Sequence, residues 1–547
     1  MAISQHESEP APRNVFVGVA WPYANGNLHA GHLAGAYLPA DIFARYQRIA
    51  GANVLFVSGT DCHGTPITLH AEAEGATPRG IAERYHRRFV DYWTALGISF
   101  DEYTTTMTDN HIAVVQEEFL LLRERGFLFE KPVKALYDVA AQRFLPDRYI
   151  LGTCPHCGAA DARGDQCESC GRPMDPDKLV NPVSRISGNA VELRPTSHFY
   201  LDLPKLQERL SEWISSKSSW RKQVYGETMK FLREGLQARA ITRDIDWGVP
   251  IPLDGYEDRR IYVWFEAVTG YLSASIEWAG KRPDANEWKK WWLDPDTRQY
   301  YFLGKDNIPF HTIIWPGILM ARGDIPQLPH NVPANGFLTF GGEKASKSRG
   351  IGATLDELIA EYQPDAIRYY LISILPESDD SVFEFADLKL SINNGLLATW
   401  GNLVSRTFAL VSLRCDCRVP EADIEPEVAA EISAAFDETA AAFEQVEIRR
   451  AFRRVLKCAR FANAYLNARE PWRKGKPVAE VHNTLGNAVH LVDALHILFA
   501  PFLPFSSDEV ARRLGYDAGV PVGSWSAPKP TPGRMIEIGE SLFTKTD

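Results

Sequence analysis

Residues 15–57 constrain the fold most. An apolar run at 15–19 breaks at the loop Trp21-Pro22-Tyr23-Ala24-Asn25-Gly26. A helical stretch follows, with Leu33, Tyr37, Leu38, Ile42, Phe43 and Tyr46 mostly three or four residues apart. A second apolar run at 53–57 ends at Gly59. Strand, helix and strand in this order make a crossover between parallel strands, the unit of α/β domains. Strand signals return at 260–264 and 299–302, after a polar stretch at 130–235, so the spacing predicts a sheet interrupted by an insertion. The 547 residues leave room for about three or four domains. Beyond 390 the chain becomes mostly helical, and from about Ser524 three prolines, Pro528, Pro530 and Pro532, mark an extended tail.

The net charge is −11. An acidic chain does not coat nucleic acid or anionic membrane indiscriminately, so a nucleic-acid site has to be a local basic patch. One lies between Glu444 and Lys476, where ten Lys/Arg stand against three Glu. Arg449, Arg453, Lys457 and Arg460 share one helical face, and Phe452, Val455, Leu456, Ala459 and Leu466 another. No stretch approaches the ~18 apolar residues of a membrane span. The start MAISQHESEPAPRN lacks the basic and apolar regions of a signal peptide, so a cytoplasmic protein with no membrane partner is expected. Eight cysteines are too sparse for a disulfide scaffold.

Four of them are clustered as Cys154-x2-Cys157-x9-Cys167-x2-Cys170. Each Cys-x2-Cys points two thiolates at one ion, and four sulfur ligands with no open position suit one structural Zn²⁺. The alternative is four unrelated buried thiols. His156, inside the first pair, is expected to be exposed rather than a ligand.

The turn Asn25-Gly26-Asn27-Leu28-His29-Ala30-Gly31-His32 follows the first strand and opens the helix. A helix N-terminus offers free N–H groups to an anion, and His29 and His32 can donate to phosphate oxygens. By itself the turn also suits a capped helix with two partly exposed histidines. Lys344-Ala345-Ser346-Lys347-Ser348-Arg349-Gly350 carries three cations and two hydroxyls, which suit a leaving pyrophosphate; by itself it also reads as a solvated basic loop. A GxxxxGK[ST] phosphate loop is absent, because the three Gly-Lys pairs are followed by Arg282, Asp306 and Pro477.

Together the two motifs are the signature pair of class I aminoacyl-tRNA synthetases. The chain resembles the methionyl-tRNA synthetase family from about Val15 onward, through AWPYANGNLHAGH, GTDCHGTPI, YVWFEAVTGY, GKDNIPFH, KASKSRG, WGNLVSR and AREPW. The resemblance implies an enzyme that activates methionine with ATP and transfers it to tRNA(Met), initiator and elongator alike. It gives ATP contacts to His29, His32, Gly304, Asp306, Lys344 and Lys347, the two histidines and two lysines being catalytic, with Mg²⁺ accompanying ATP. Asp61 takes the methionine amino group. Ala20, Trp21, Tyr23, Trp264, Ala267, Tyr271 and His311 form the side-chain pocket, with Val268 and Asn307 departing from residues common in the family. Asn402, Arg406 and Trp472 match positions that read the anticodon.

The expected fold is a Rossmann-type α/β catalytic domain with a zinc-bearing insertion, followed by an α-helical anticodon-binding bundle. Its expected divisions are a flexible leader at 1–13, the two catalytic halves at 14–128 and 241–335, and the insertion at 129–240. A connecting segment with the KASKS loop at 336–393, the helical domain at 394–523 and a tail at 524–547 complete it. A monomer is expected, since some family members dimerise through an extra C-terminal domain for which too few residues follow the helical region. Two rivals are a synthetase-like paralogue, which would have no use for Asn402, Arg406 and Trp472, and a non-catalytic RNA-binding module, which would need neither nucleotide motif.

Overall fold

The computed structural model describes residues 13–146, 149–160, 162–164, 167, 178–341, 343–344, 352–517 and 519–546. Five parallel strands form the central sheet, in the spatial order Ala334–Asn335, Arg298–Gly304, Asn14–Val19, Asn53–Thr60, Glu102–Thr105. Its register sets Val15 beside Val54 and Arg298, and Val19 beside Phe302. Alternation along the first strand puts Val15, Val17 and Val19 into one core and Phe16 into the other, so both faces are buried. The chain winds outward in one direction from Asn14–Val19 to Glu102–Thr105. It returns on the other side of the first strand as Arg298–Gly304, which makes a switch point between those two neighbours, where an open α/β sheet forms its crevice.

The insertion separates the two halves. Strands Leu128–Asp138 and Glu192–Leu201 pair antiparallel along ten residue pairs, and a three-stranded sheet of Ile150–Thr153, Ala162–Arg163 and Val180–Ser184 sits beyond them. The reading of 260–264 as a strand is corrected. Only Arg260–Ile261 pairs, with Thr242–Arg243, and the helix Val263–Gly280 begins at once. That helix buries most of its circumference, so it lacks the polar face that would have revealed a helical period.

Long helices, including Asn402–Cys415, Pro426–Glu444, Ile448–Arg469 and Val478–Phe499, build the C-terminal bundle. Its core is continuous with one face of the sheet. Arg368, fully buried, joins the parts: it donates to the Asp41 carboxylate at 2.7 Å and to the carbonyls of Leu96, Pro501 and Phe502. The extended tail packs back. Trp525 lies edge-on to Tyr46 at 4.9 Å, and Ile536 and Phe543 are buried. Arg13 is pinned by Gln47 and Glu444 rather than free, and the rest of the expected leader lies outside the described residues. Among the described residues no helix is long and apolar enough to cross a membrane.

Candidate active site

A cavity of about 460 Å³ opens at the C-terminal ends of the sheet, at the switch point. Ala20, Trp21 and Tyr23 leave the first strand into it, Asp61 leaves the second, Gly304, Asp306 and Asn307 come from the end of Arg298–Gly304, and Gly336 and Leu338 follow Ala334–Asn335. His29 and His32 line it from the start of the first helix, Trp264, Ala267, Val268 and Tyr271 from Val263–Gly280, and His311 from the turn after Asn307.

Missing side chains make room for the aromatic wall. A Cβ on Gly59 would stand 2.4 Å from the Trp21 indole and one on Gly270 2.8 Å from it, while a Cβ on Gly18 would stand 2.9 Å from Tyr271. Trp264 stacks on Phe310 at 4.3 Å and meets Tyr23 edge-on at 5.8 Å. At the pocket floor the polar groups are already satisfied by one another. His311 Nδ1–H donates to the Asn307 carbonyl at 3.0 Å, so Nε2 is the acceptor and the Tyr271 hydroxyl donates to it at 2.7 Å. Burial drives His311 down to about 4 and Tyr271 well above its usual value, so both are neutral. A neutral, aromatic, polarizable pocket suits a thioether.

Asp61 is 3% exposed and forms an ion pair with no Lys, Arg or His among the described residues. Burial pushes its carboxyl well above the usual carboxylate range, and the nearby Glu266 carboxylate adds to the push. The His63 N–H, donating at 3.3 Å, pulls the other way. A ligand cation is what would restore the charge.

His29 precedes the helix as its N-cap, and His32 lies in the first turn. Gly31 N–H donates to His29 Nδ1 at 3.1 Å and His29 N–H to His32 Nδ1 at 3.3 Å. Each neutral ring therefore carries its proton on Nε2, as a donor. The chain widens next into a π-helical turn, Leu33–Tyr37, and Asn335 Nδ2 donates to the Gly35 carbonyl at 2.8 Å. Such turns accompany functional sites. A hairpin holds the basic loop's entry nearby: Glu343–Lys344 pairs with Leu338–Phe340, and Phe340 meets His29 edge-on at 6.2 Å. The loop's exit is tied to the same turn, where Ala30 N–H donates to the Ala353 carbonyl and Leu355 N–H to the Leu28 carbonyl, both at 2.9 Å. Lys347 lies outside the described residues.

Two further groups stand apart. Cys154, Cys157 and Cys167 bring their sulfurs within 4.8 Å of one another, with Cys157 and Cys167 at 3.6 Å. Sulfurs on a tetrahedral ion with Zn–S near 2.3 Å sit about 3.8 Å apart, so this donor set fits a metal. Cys170 lies outside the described residues, and His156 is exposed. On the bundle, Asn402 and Arg406 share one face of Asn402–Cys415, and the Arg406 guanidinium lies 5.1 Å from the Trp472 ring, which is 41% exposed. Arg453, Lys457 and Arg460 are exposed. Arg449 departs from that row: it is half-buried and donates to the Leu375 carbonyl at 3.3 Å.

Comparison with known proteins bears on both regions. Residues 15–408 match the family model of class I tRNA synthetases of the M type, and 426–543 match the anticodon-binding domain of tRNA ligases. A methionine–tRNA ligase of Roseiflexus sp. (strain RS-1) is 46% identical over 98% of this chain and 97% of its own length. The chain belongs to the methionyl-tRNA synthetases. Another member, from Dehalococcoides mccartyi (strain ATCC BAA-2266), is also 46% identical, over 97% of each chain. The fold is shared with Mycobacterium tuberculosis methionyl-tRNA synthetase bound by methionyl-adenylate, at a TM-score of 0.80 and 23% identity, over 97% of this chain and 100% of that one.

Within this methionyl-tRNA synthetase fold, Asn25, Tyr37, Phe310 and Leu338 also line the cavity, though the sequence reading passed over them. Phe310 was within reach, because it adjoins His311. The pairing of His63 with Glu266, 203 positions apart, has no local sequence signal.

Proposed function

We propose that the cavity carries both steps of methionine–tRNA ligation up to acyl transfer. The methionine side chain enters the Trp21, Tyr23, Trp264, Ala267 and Tyr271 pocket, with His311 at its floor, and its ammonium pairs with Asp61. ATP lies along the turn at His29 and His32, whose Nε2–H groups donate to phosphate oxygens, with adenosine against Gly304 and Asp306. A methionine carboxylate oxygen attacks the α-phosphorus and the bond to the β-phosphate oxygen breaks, giving methionyl-adenylate and pyrophosphate. Lys344 and Lys347 stabilise the charge that grows on the leaving pyrophosphate. A hydroxyl of the tRNA 3′-terminal adenosine then attacks the acyl carbon and AMP leaves. No covalent enzyme intermediate is needed; the work is positioning and charge stabilisation. ATP arrives as its Mg²⁺ complex, which offsets phosphate charge.

Cys154, Cys157, Cys167 and Cys170 would hold one Zn²⁺ that cross-links the insertion. Asn402, Arg406 and Trp472 read the anticodon of initiator and elongator tRNA(Met), Trp472 stacking on an unpaired base. The enzyme works as a monomer in the cytoplasm.

This reading is carried by one cavity lined at once by a buried carboxylate that pairs with no cation among the described residues, a neutral aromatic pocket and a histidine-capped helix start. Methionine-dependent exchange of pyrophosphate into ATP, followed by charging of tRNA(Met), tests it. Exchange independent of methionine, or stimulated better by another amino acid, would refute it.

A further inference from the structure

Behind the cavity the turn Asp61-Cys62-His63-Gly64 is held from three sides. The Cys62 N–H donates to Thr106 Oγ1 at 3.0 Å. Trp247 Nε1 donates to the Cys62 carbonyl at 2.7 Å, and its ring stands edge-on to His63 at 5.1 Å. The third hold crosses from the helix Val263–Gly280, where Glu266 Oε1 accepts from His63 Nδ1–H at 2.9 Å. Gly64 closes the turn at φ +101°, a conformation that favours glycine.

Glu266 is an odd choice for packing. It is fully buried, it is not among the cavity's lining residues, and its second oxygen has no hydrogen-bond partner among the described residues. A carboxylate in that setting costs stability that an apolar residue of similar size would not. What the carboxylate reaches is His63, whose backbone N–H donates to Asp61 Oδ1. A chain of contacts therefore runs from Glu266, through the His63 ring and peptide, to the carboxylate that faces the cavity. Ala267, next along the helix, lines the side-chain pocket, so one helical turn touches both halves of the amino-acid site.

We propose that Glu266 is a positioning residue for the amino-group site: through His63 it fixes the peptide that orients Asp61, and so sets how tightly the enzyme holds the α-ammonium of its amino acid. The proposal rests on the reading of Asp61 as the ammonium partner.

The test compares methionine with its deaminated analogue, 4-(methylthio)butanoate, as substrate and competitive inhibitor in pyrophosphate exchange by the full-length enzyme. Glu266→Ala raises KM for methionine roughly tenfold, with kcat little changed, because one charge-assisted hydrogen bond in the chain is gone. Inhibition by the analogue, which has no ammonium to place, is unaffected. Glu266→Gln still accepts from His63 and recovers most of the loss. Where Glu266→Ala does not accumulate as folded protein, His63→Ala carries the same expectation from the other end of the bond. An unchanged KM, an equal loss for methionine and analogue, or a glutamine variant as impaired as the alanine variant overturns the proposal. Asp61→Asn separates the two layers. If it abolishes discrimination between methionine and analogue while the Glu266 variants keep it, only the positioning role fails. If Asp61→Asn itself leaves discrimination intact, the ammonium reading falls, and the Glu266 role falls with it.

Discussion

The proposed methionine pocket and the Trp472 surface are built on opposite terms. At the pocket floor the protein satisfies its own polar groups before any ligand arrives: Tyr271 donates to His311, which donates to the Asn307 carbonyl, and aromatic rings fill the space left by glycines. On the bundle, Asn402 and Trp472 are exposed, and Arg406 spans to the Trp472 ring and to Asn467 Oδ1 at 2.9 Å. A small substrate needs a preformed, water-excluding site, whereas an anticodon supplies its own stacking surface and needs only exposed partners at a fixed spacing. The two regions share one continuous core, and the buried Arg368 bonds both Asp41 and the Pro501 carbonyl.

The largest effect belongs to the cavity alone. Lys347→Ala should slow single-turnover adenylate formation by about 10²–10³-fold with little change in ATP affinity, since the charge it meets appears in the transition state. Normal adenylation by that variant would remove the lysine from its role. Cys157→Ser lies outside both regions. Losing one thiolate should bring bound zinc below one per chain and lower the melting temperature, and full metal retention with unchanged melting would contradict a structural metal.

Smaller effects probe how prebuilt the pocket is. Tyr271→Phe leaves His311 Nε2 without its donor and should raise KM for methionine about fivefold to tenfold, with tRNA affinity unchanged. Equal losses in both would blur the two regions into one. The smallest concerns acid. Burial holds His311 near 4 and His111 near 3, so between those values and about 6.5 the unfolded chain binds protons that the folded chain refuses. Stability should therefore fall as pH drops from about 6.5 towards 4. His111→Gln should reduce that fall by about 2–4 °C in melting temperature, and an unaltered slope would place the proton uptake elsewhere.

What could be read from the chain follows the same division. The strand–turn–helix start is local, because alternating and three-to-four spacings are short-range signals, and the paired cysteine spacing likewise carries its own geometry. The helix Val263–Gly280 was misread at its start because burial on most sides erases periodicity. The π-helical turn at Leu33–Tyr37 looks like ordinary helix in sequence, and the His63–Glu266 and Asp41–Arg368 pairs join residues hundreds of positions apart. Asn402, Arg406 and Trp472 carried no chemical motif of their own; only family resemblance singled them out. Arg449 looked like its row mates, and its engagement with Leu375 comes from tertiary packing.

Two separable surfaces would then serve one reaction. Trp472→Ala, assayed in parallel for methionine-dependent pyrophosphate exchange and for tRNA(Met) charging, should separate them. Loss of a base-stacking aromatic costs about 1–3 kcal/mol, so charging should fall roughly ten- to a hundredfold while exchange stays close to wild type. Equal loss of both activities in a variant that remains folded would contradict the account.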